Sequence, residues 1–138
     1  MVIVKPQTYM NRSGTALGPL LDRPDFDPAT DLLVVVDDIA IPLGSFRIRG
    51  KGSDGGHNGL KSIAGRLASG EYARLRIGVG PRPVGEDQAD YLLSPFEEDE
   101  LGTLRELVPT LIEAVDCWTR DGIELAMNRY NRRGTQSE

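Results

Sequence analysis

The stretch LLVVVDD, residues 32–38, decides how the rest of the chain is read. Its first five residues form a continuous apolar, β-branched run, which suits a strand buried on both faces, as in a parallel sheet. The strand is expected to end at the acidic pair Asp37-Asp38. Ligands of open α/β sheets bind outside the carboxyl ends of strands, so Asp37 is a candidate functional carboxylate. Its alternative role is to cap the turn toward Pro42-Leu43-Gly44.

Downstream, Phe46 and Ile48 alternate with Arg47 and Arg49, predicting a half-buried strand with a basic outer face. The glycine-rich turn GKGSDGGHNG (50–59) follows, then a helix over Leu60–Leu67. Arg74 and Arg76 alternate with Leu75 and Ile77 in a strand ending at Gly78-Val79-Gly80. Upstream, Val2-Ile3-Val4 predicts a short strand, Asn11 and Ser13 are candidate caps of a helix reaching Leu21, and residues 22–30 read as a loop. Residues 81–96 are rich in proline and acid, a loop or lid. From Phe96, apolar residues from Leu101 to Trp118 recur at three- and four-residue steps, a long amphipathic helix broken at Asp121-Gly122. A second helix is expected over Ile123–Tyr130 and a frayed tail after it. Strands alternating with helices predict an α/β layered domain, and 138 residues fit a single domain, 1–138.

Composition narrows the function. A lone cysteine, Cys117, excludes a disulfide framework and a cysteine zinc site, and fits a reducing compartment. No apolar run approaches the roughly 18 residues that span a bilayer, and the first residues lack a signal-peptide core, so a cytoplasmic location is expected. The single histidine, His57, excludes any mechanism needing two histidines from this chain. Net charge is −5 but segregated: residues 44–83 hold 8 basic and 2 acidic side chains, whereas residues 84–125 hold 2 and 12. Such a protein can grip phosphate at one place while the rest of its surface repels a polyanion.

Gly50, Gly52 and Gly55 satisfy G-x-G-x-x-G, but a dinucleotide site needs a carboxylate at the end of the next strand. Glu71 precedes that strand and Val79-Gly80 offers none, so the dinucleotide reading stands third, and failure to bind a nicotinamide nucleotide would remove it. A Walker A loop fails on spacing. His57-Asn58 sits at a helix start, where free N–H groups and the positive dipole end collect. Asn58 there is either a helix cap or a carboxamide donor to a developing oxyanion. Asn11 follows a strand in the same way as Asp37, so Asn11, Asp37 and Asn58 are expected to converge.

KPQTYMNRSG (5–14), VVVDDIAIPLG (34–44), GSDGGHNGLKSI (52–63), YARLRIGVGPRP (72–83), YLLSPF (91–96) and the helix ending in MNRYN together resemble the bacterial-type peptidyl-tRNA hydrolases. The resemblance covers nearly the whole chain, in order. It implies a mixed central sheet sandwiched by helices, and metal-free, cofactor-free hydrolysis of the ester joining a peptide to the tRNA 3′-terminal ribose during translation. By resemblance, Asn11 helps hold the catalytic histidine and the peptide backbone, and Met10 lines the cleft. Asp37 orients and polarises that histidine, Asn58 stabilises the oxyanion, and His57 contacts substrate. Arg49 and Arg76 match positions that meet tRNA phosphates, with Arg47, Lys51 and Arg74 assisting.

One departure is severe. The family's Gly-Asn-Pro-Gly turn and its Thr-Arg-His-Asn segment, which carries the general-base histidine, are not in this sequence. His57 already matches the Gly-Gly-His-Asn motif and is not that base. The expectation is therefore an N-terminally shortened homologue, with its first strand and helix missing and its hydrolysis weakened. An exposed edge at Val34–Val36 should accompany this, and with it self-association of a fold that is monomeric in intact members. The alternative is a non-catalytic tRNA- or RNA-binding scaffold of the same fold.

Overall fold

The computed structural model describes residues 2–5, 10–52, 57–80 and 97–134, with the side chains of residues 10, 11 and 132–134 outside that description. The chain divides into two compact units, Met1–Val34 with Arg49–Arg74, and Val35–Ile48 with Leu75–Glu138.

The first unit is helical. A 3-10 helix spans Met10–Leu17, with a kink at Arg12 (φ −121°), and runs into α1 (Gly18–Leu21). Pro19 stands in the first turn of α1, where its missing N–H leaves no bond unmade. The expected loop over 22–30 gives way to a short helix, α2 (Pro28–Asp31). Asp27 caps it by accepting from the Ala29 N–H at 3.0 Å, while the Asp31 carboxylate accepts from the Asp27 N–H at 2.8 Å. Helix α3 spans Asn58–Leu67 and buries Gly59, Leu60 and Ile63. The 3-10 helix packs on α3 through Gly14, whose N–H donates to Ser62 Oγ at 2.8 Å. A Cβ on Gly14 would run into the Ser62 carbonyl and Arg66 Cβ, so only glycine permits this approach. Val2–Val4, expected as a strand, lie outside any strand and are exposed.

Strands β1 (Leu33–Pro42), β2 (Phe46–Arg49) and β3 (Ala73–Gly80) form a mixed sheet of order β1-β3-β2. Strand β1 corrects two expectations. It runs on past Asp37-Asp38, because Ala40 alternates with Ile39 and Ile41 and the pattern continues to Pro42. It is also not buried on both faces: it lies at the sheet edge, and Val35 is 51% exposed. Strand β3 takes the central place and is buried along most of its length, which overturns the expected half-buried alternation there. Strand β2 follows its pattern, with Phe46 and Ile48 fully buried and Arg47 and Arg49 partly exposed.

The second unit is completed by α4 (Glu98–Asp121) and α5 (Ile123–Gly134). Helix α4 opens on a capping box in which Glu100 Oε1 accepts from the Glu97 N–H at 2.8 Å. Its first turn is acidic, as the dipole favours. It ends at Gly122, whose φ of 91° suits glycine. Ala114, Cys117, Ala126 and Tyr130 are buried. Helix α5 extends beyond the expected Tyr130. Asn131 explains why: its Oδ1 accepts from the Ile48 N–H and its Nδ2 donates to the Ile48 carbonyl, both at 2.8 Å.

Candidate active site

The start of α3 is the most informative part of the first unit. His57 has extended backbone (φ −75°, ψ 119°) and is the N-cap, with Nδ1 accepting from the Gly59 and Leu60 N–H groups at 3.0 and 3.3 Å. A ring nitrogen that accepts carries no proton, so the hydrogen-bond pattern assigns the proton of the neutral imidazole to Nε2. Asn58 is the first residue inside the helix and its side chain is exposed. Of its two readings, the cap is taken by His57. Its carboxamide therefore stands beside the positive end of a ten-residue helix without being needed to close that helix.

Met10 and Asn11 stand in the first turn of the 3-10 helix that packs on α3, so the elements bearing Asn11 and Asn58 are brought together. The side chains of Met10 and Asn11 lie outside the described residues, as do residues 53–56 and the lid sequence at 91–96.

In the second unit, Asp37 is partly buried midway along β1. Its neighbour Asp38 is locked in place: Oδ1 accepts from the Ala40 N–H at 2.8 Å, and Oδ2 meets Arg76 Nη1 at 3.2 Å. Both side chains of that pair are mostly buried, 18% and 16% exposed, so their attraction is poorly screened. Arg76 and Asp38 stand 38 residues apart, and no local spacing in the sequence encodes their pairing.

The expected phosphate-binding set divides on burial. Lys51 is exposed, while Arg47, Arg49 and Arg76 are partly exposed. Arg74 is a correction. It is 1% exposed, and its guanidinium donates to the carbonyls of Gly70 (2.6 Å) and Tyr72 (3.3 and 3.4 Å) while lying over the Tyr72 ring. A group so enclosed does not reach a tRNA phosphate. Tyr72 and Asn131 are the residues that sequence reasoning missed; Tyr72 precedes a strand and Asn131 follows an expected helix end, and neither position looked special.

Among the described residues, no three or more His, Cys, Asp or Glu are grouped to hold a metal ion, and no helix is long and apolar enough to cross a membrane.

The arrangement has close counterparts among known proteins. A peptidyl-tRNA hydrolase of Gemmatimonas aurantiaca is 45% identical over 134 residues, covering 94% of this chain and 70% of the relative. One from Lachnospira eligens is 46% identical over 133 residues, covering 95% and 70%. The crystal structure of peptidyl-tRNA hydrolase from Acinetobacter baumannii superposes with a TM-score of 0.81 at 28% identity, covering 91% of this chain. This chain spans 63% of the length of that solved chain. The family model described as Peptidyl-tRNA hydrolase matches residues 1–138, and on this match and these identities the chain belongs to the peptidyl-tRNA hydrolase family.

Proposed function

We propose that this chain binds peptidyl-tRNA and supplies the oxyanion-stabilising part of an ester hydrolase. The observation that carries the reading is the start of α3, where His57 closes the helix and leaves the Asn58 carboxamide exposed at its positive end. In the reaction a water oxygen bonds to the ester carbonyl carbon and gives its proton to a base. The carbonyl oxygen becomes an oxyanion, and collapse expels the ribose 3′-oxygen, which takes up a proton. The Asn58 Nδ2–H and the α3 dipole both act on the oxyanion, where charge develops and where donors are worth most. Asp37 has the role of orienting the base, and Asn11 that of holding the peptide backbone. Arg47, Arg49, Lys51 and Arg76 supply positive charge for the phosphates.

The sequence has one histidine, and its Nδ1 is engaged as a helix cap. The other nitrogen then carries the proton and is a donor, not a base. Since general-base catalysis is typically worth about 10²–10⁴-fold, hydrolysis by this chain alone is slow by that order. The same observation favours a second reading, a tRNA-binding scaffold without turnover. Binding separates both from an unrelated role. The chain should hold an N-acylaminoacyl-tRNA more tightly than the same tRNA deacylated, and both less tightly as salt rises. Equal binding of the two, insensitive to Asn58→Ala, would remove Asn58 from the substrate site.

A further inference from the structure

Two buried side chains near α3 take no part in the chemistry above. Tyr72 is fully buried and Arg74 is 1% exposed, both in the first unit. We propose that Tyr72 and Arg74 are positioning residues that hold His57 and Asn58 in place by fastening both flanks of the glycine-rich loop. The proposal rests on the reading of Asn58 as the oxyanion donor.

The near flank is fastened at Gly52, whose N–H donates to the Gly70 carbonyl at 3.3 Å. That same carbonyl accepts from Arg74 Nη2 at 2.6 Å. The far flank is fastened at Leu60, in the first turn of α3. The Leu60 carbonyl accepts from the Tyr72 hydroxyl at 3.3 Å, and the Leu60 N–H donates to His57 Nδ1. The two fastenings are joined to each other. The Arg74 guanidinium carbon lies 4.1 Å from the centre of the Tyr72 ring, and Nε and Nη2 both donate to the Tyr72 carbonyl. One Tyr–Arg pair therefore meets the chain just before the loop and just after it.

The residue types suit this task. A guanidinium is planar, so it stacks on a ring while its edge donates to two carbonyls; a lysine ammonium cannot do both. A tyrosine is rigid and places its hydroxyl at a fixed distance from its ring. The Leu60 residue is shared between the Tyr72 hydroxyl and the His57 cap, so a shift at one end is felt at the other. Small displacements matter here, because a misplacement of about 1 Å can cost about 10²-fold in a catalytic step.

The test uses the full chain without tRNA, labelled with nitrogen-15. Variants Tyr72→Phe and Arg74→Lys are compared with wild type by the imidazole nitrogen signals of His57 and by amide exchange. In the wild type, His57 should show one neutral tautomer with a bare Nδ1, and the Gly59 and Leu60 amides should be protected. In both variants His57 should become a mixture of tautomers, and these two amides should exchange about tenfold faster, the effect of losing one hydrogen bond. Ala114 and Ala126 should exchange at wild-type rates. A purely structural role would instead accelerate all four amides together or leave the His57 signals unchanged, and either result overturns the proposal. Tyr72→Phe, which deletes one oxygen, decides alone if Arg74→Lys does not fold. Neither signal requires tRNA, so a chain that gives them while binding no tRNA keeps the positioning role and loses the functional reading.

Discussion

Replacing Asn131 by leucine should destabilise the protein through a strand it does not belong to. Strand β2 is an edge strand, and Ile48 on it is fully buried. Its neighbour Ser45 turns its carbonyl the other way, accepting from the Gly78 N–H on the β3 side. The Ile48 N–H and carbonyl point outward, and the Asn131 carboxamide meets both at 2.8 Å, taking the place of a next strand. Leucine has nearly the same shape and no hydrogen-bonding group. The Ile48 N–H and carbonyl each lose this partner, at a cost of about 1–3 kcal/mol for each buried group left unsatisfied. Some water reaches an edge, so we take the lower part of that range and expect about 3 kcal/mol in total. For a chain of this size that lowers Tm by roughly 10 °C, since each kcal/mol shifts Tm by several degrees. Urea unfolding measures it directly, as a fall in midpoint at constant slope. A change below about 0.5 kcal/mol, the level of ordinary surface substitutions, would refute the clasp.

Three further outcomes follow from the same geometry. Gly14→Ala should cost about 1–3 kcal/mol, because its Cβ pushes the 3-10 helix off the Ser62 carbonyl of α3; thermal unfolding at or above wild-type Tm would contradict that close approach. Arg49→Ala combined with Arg76→Ala should weaken tRNA binding and lower the slope of log affinity against log salt by about one for each phosphate no longer neutralised. Arg74→Lys should leave that slope as it is in the wild type, since the buried Arg74 guanidinium does not face phosphate; a slope reduced as much as in the double variant would return Arg74 to the binding surface.

Much of the fold was legible because it follows period and punctuation. Phe46 and Ile48 alternate with arginines and are buried as the alternation requires. Asp121-Gly122 breaks the long helix where it should. The misreadings have definite physical origins. Arg74 and Arg76, two residues apart, read as one outward face, but on the central strand β3 they part: Arg74 is enclosed and Arg76 stays partly exposed. One arginine is then held by carbonyls and a ring, and the other by Asp38, through interactions that no spacing in the sequence announces. The run at 32–36 read as doubly buried because apolarity alone does not say how many strands flank it; β1 lies at an edge and Val35 stands out of it. At the glycine-rich turn both His57 and Asn58 are polar residues before an apolar run. Which of them caps is set by the backbone angles at 57, and those are visible only in the structure.

The central claim is that the start of α3 presents Asn58 to a developing oxyanion while the single histidine is engaged as a cap. The most direct measurement is the rate at which the chain deacylates an N-acylaminoacyl-tRNA, with and without added imidazole as a diffusible base, in wild type and Asn58→Ala. The account predicts slow cleavage by the wild type and a clear increase with imidazole. It also predicts a loss of about 10²–10³-fold of the imidazole-dependent rate in Asn58→Ala, the usual effect of removing one oxyanion donor. Equal imidazole-dependent rates in wild type and Asn58→Ala would contradict it.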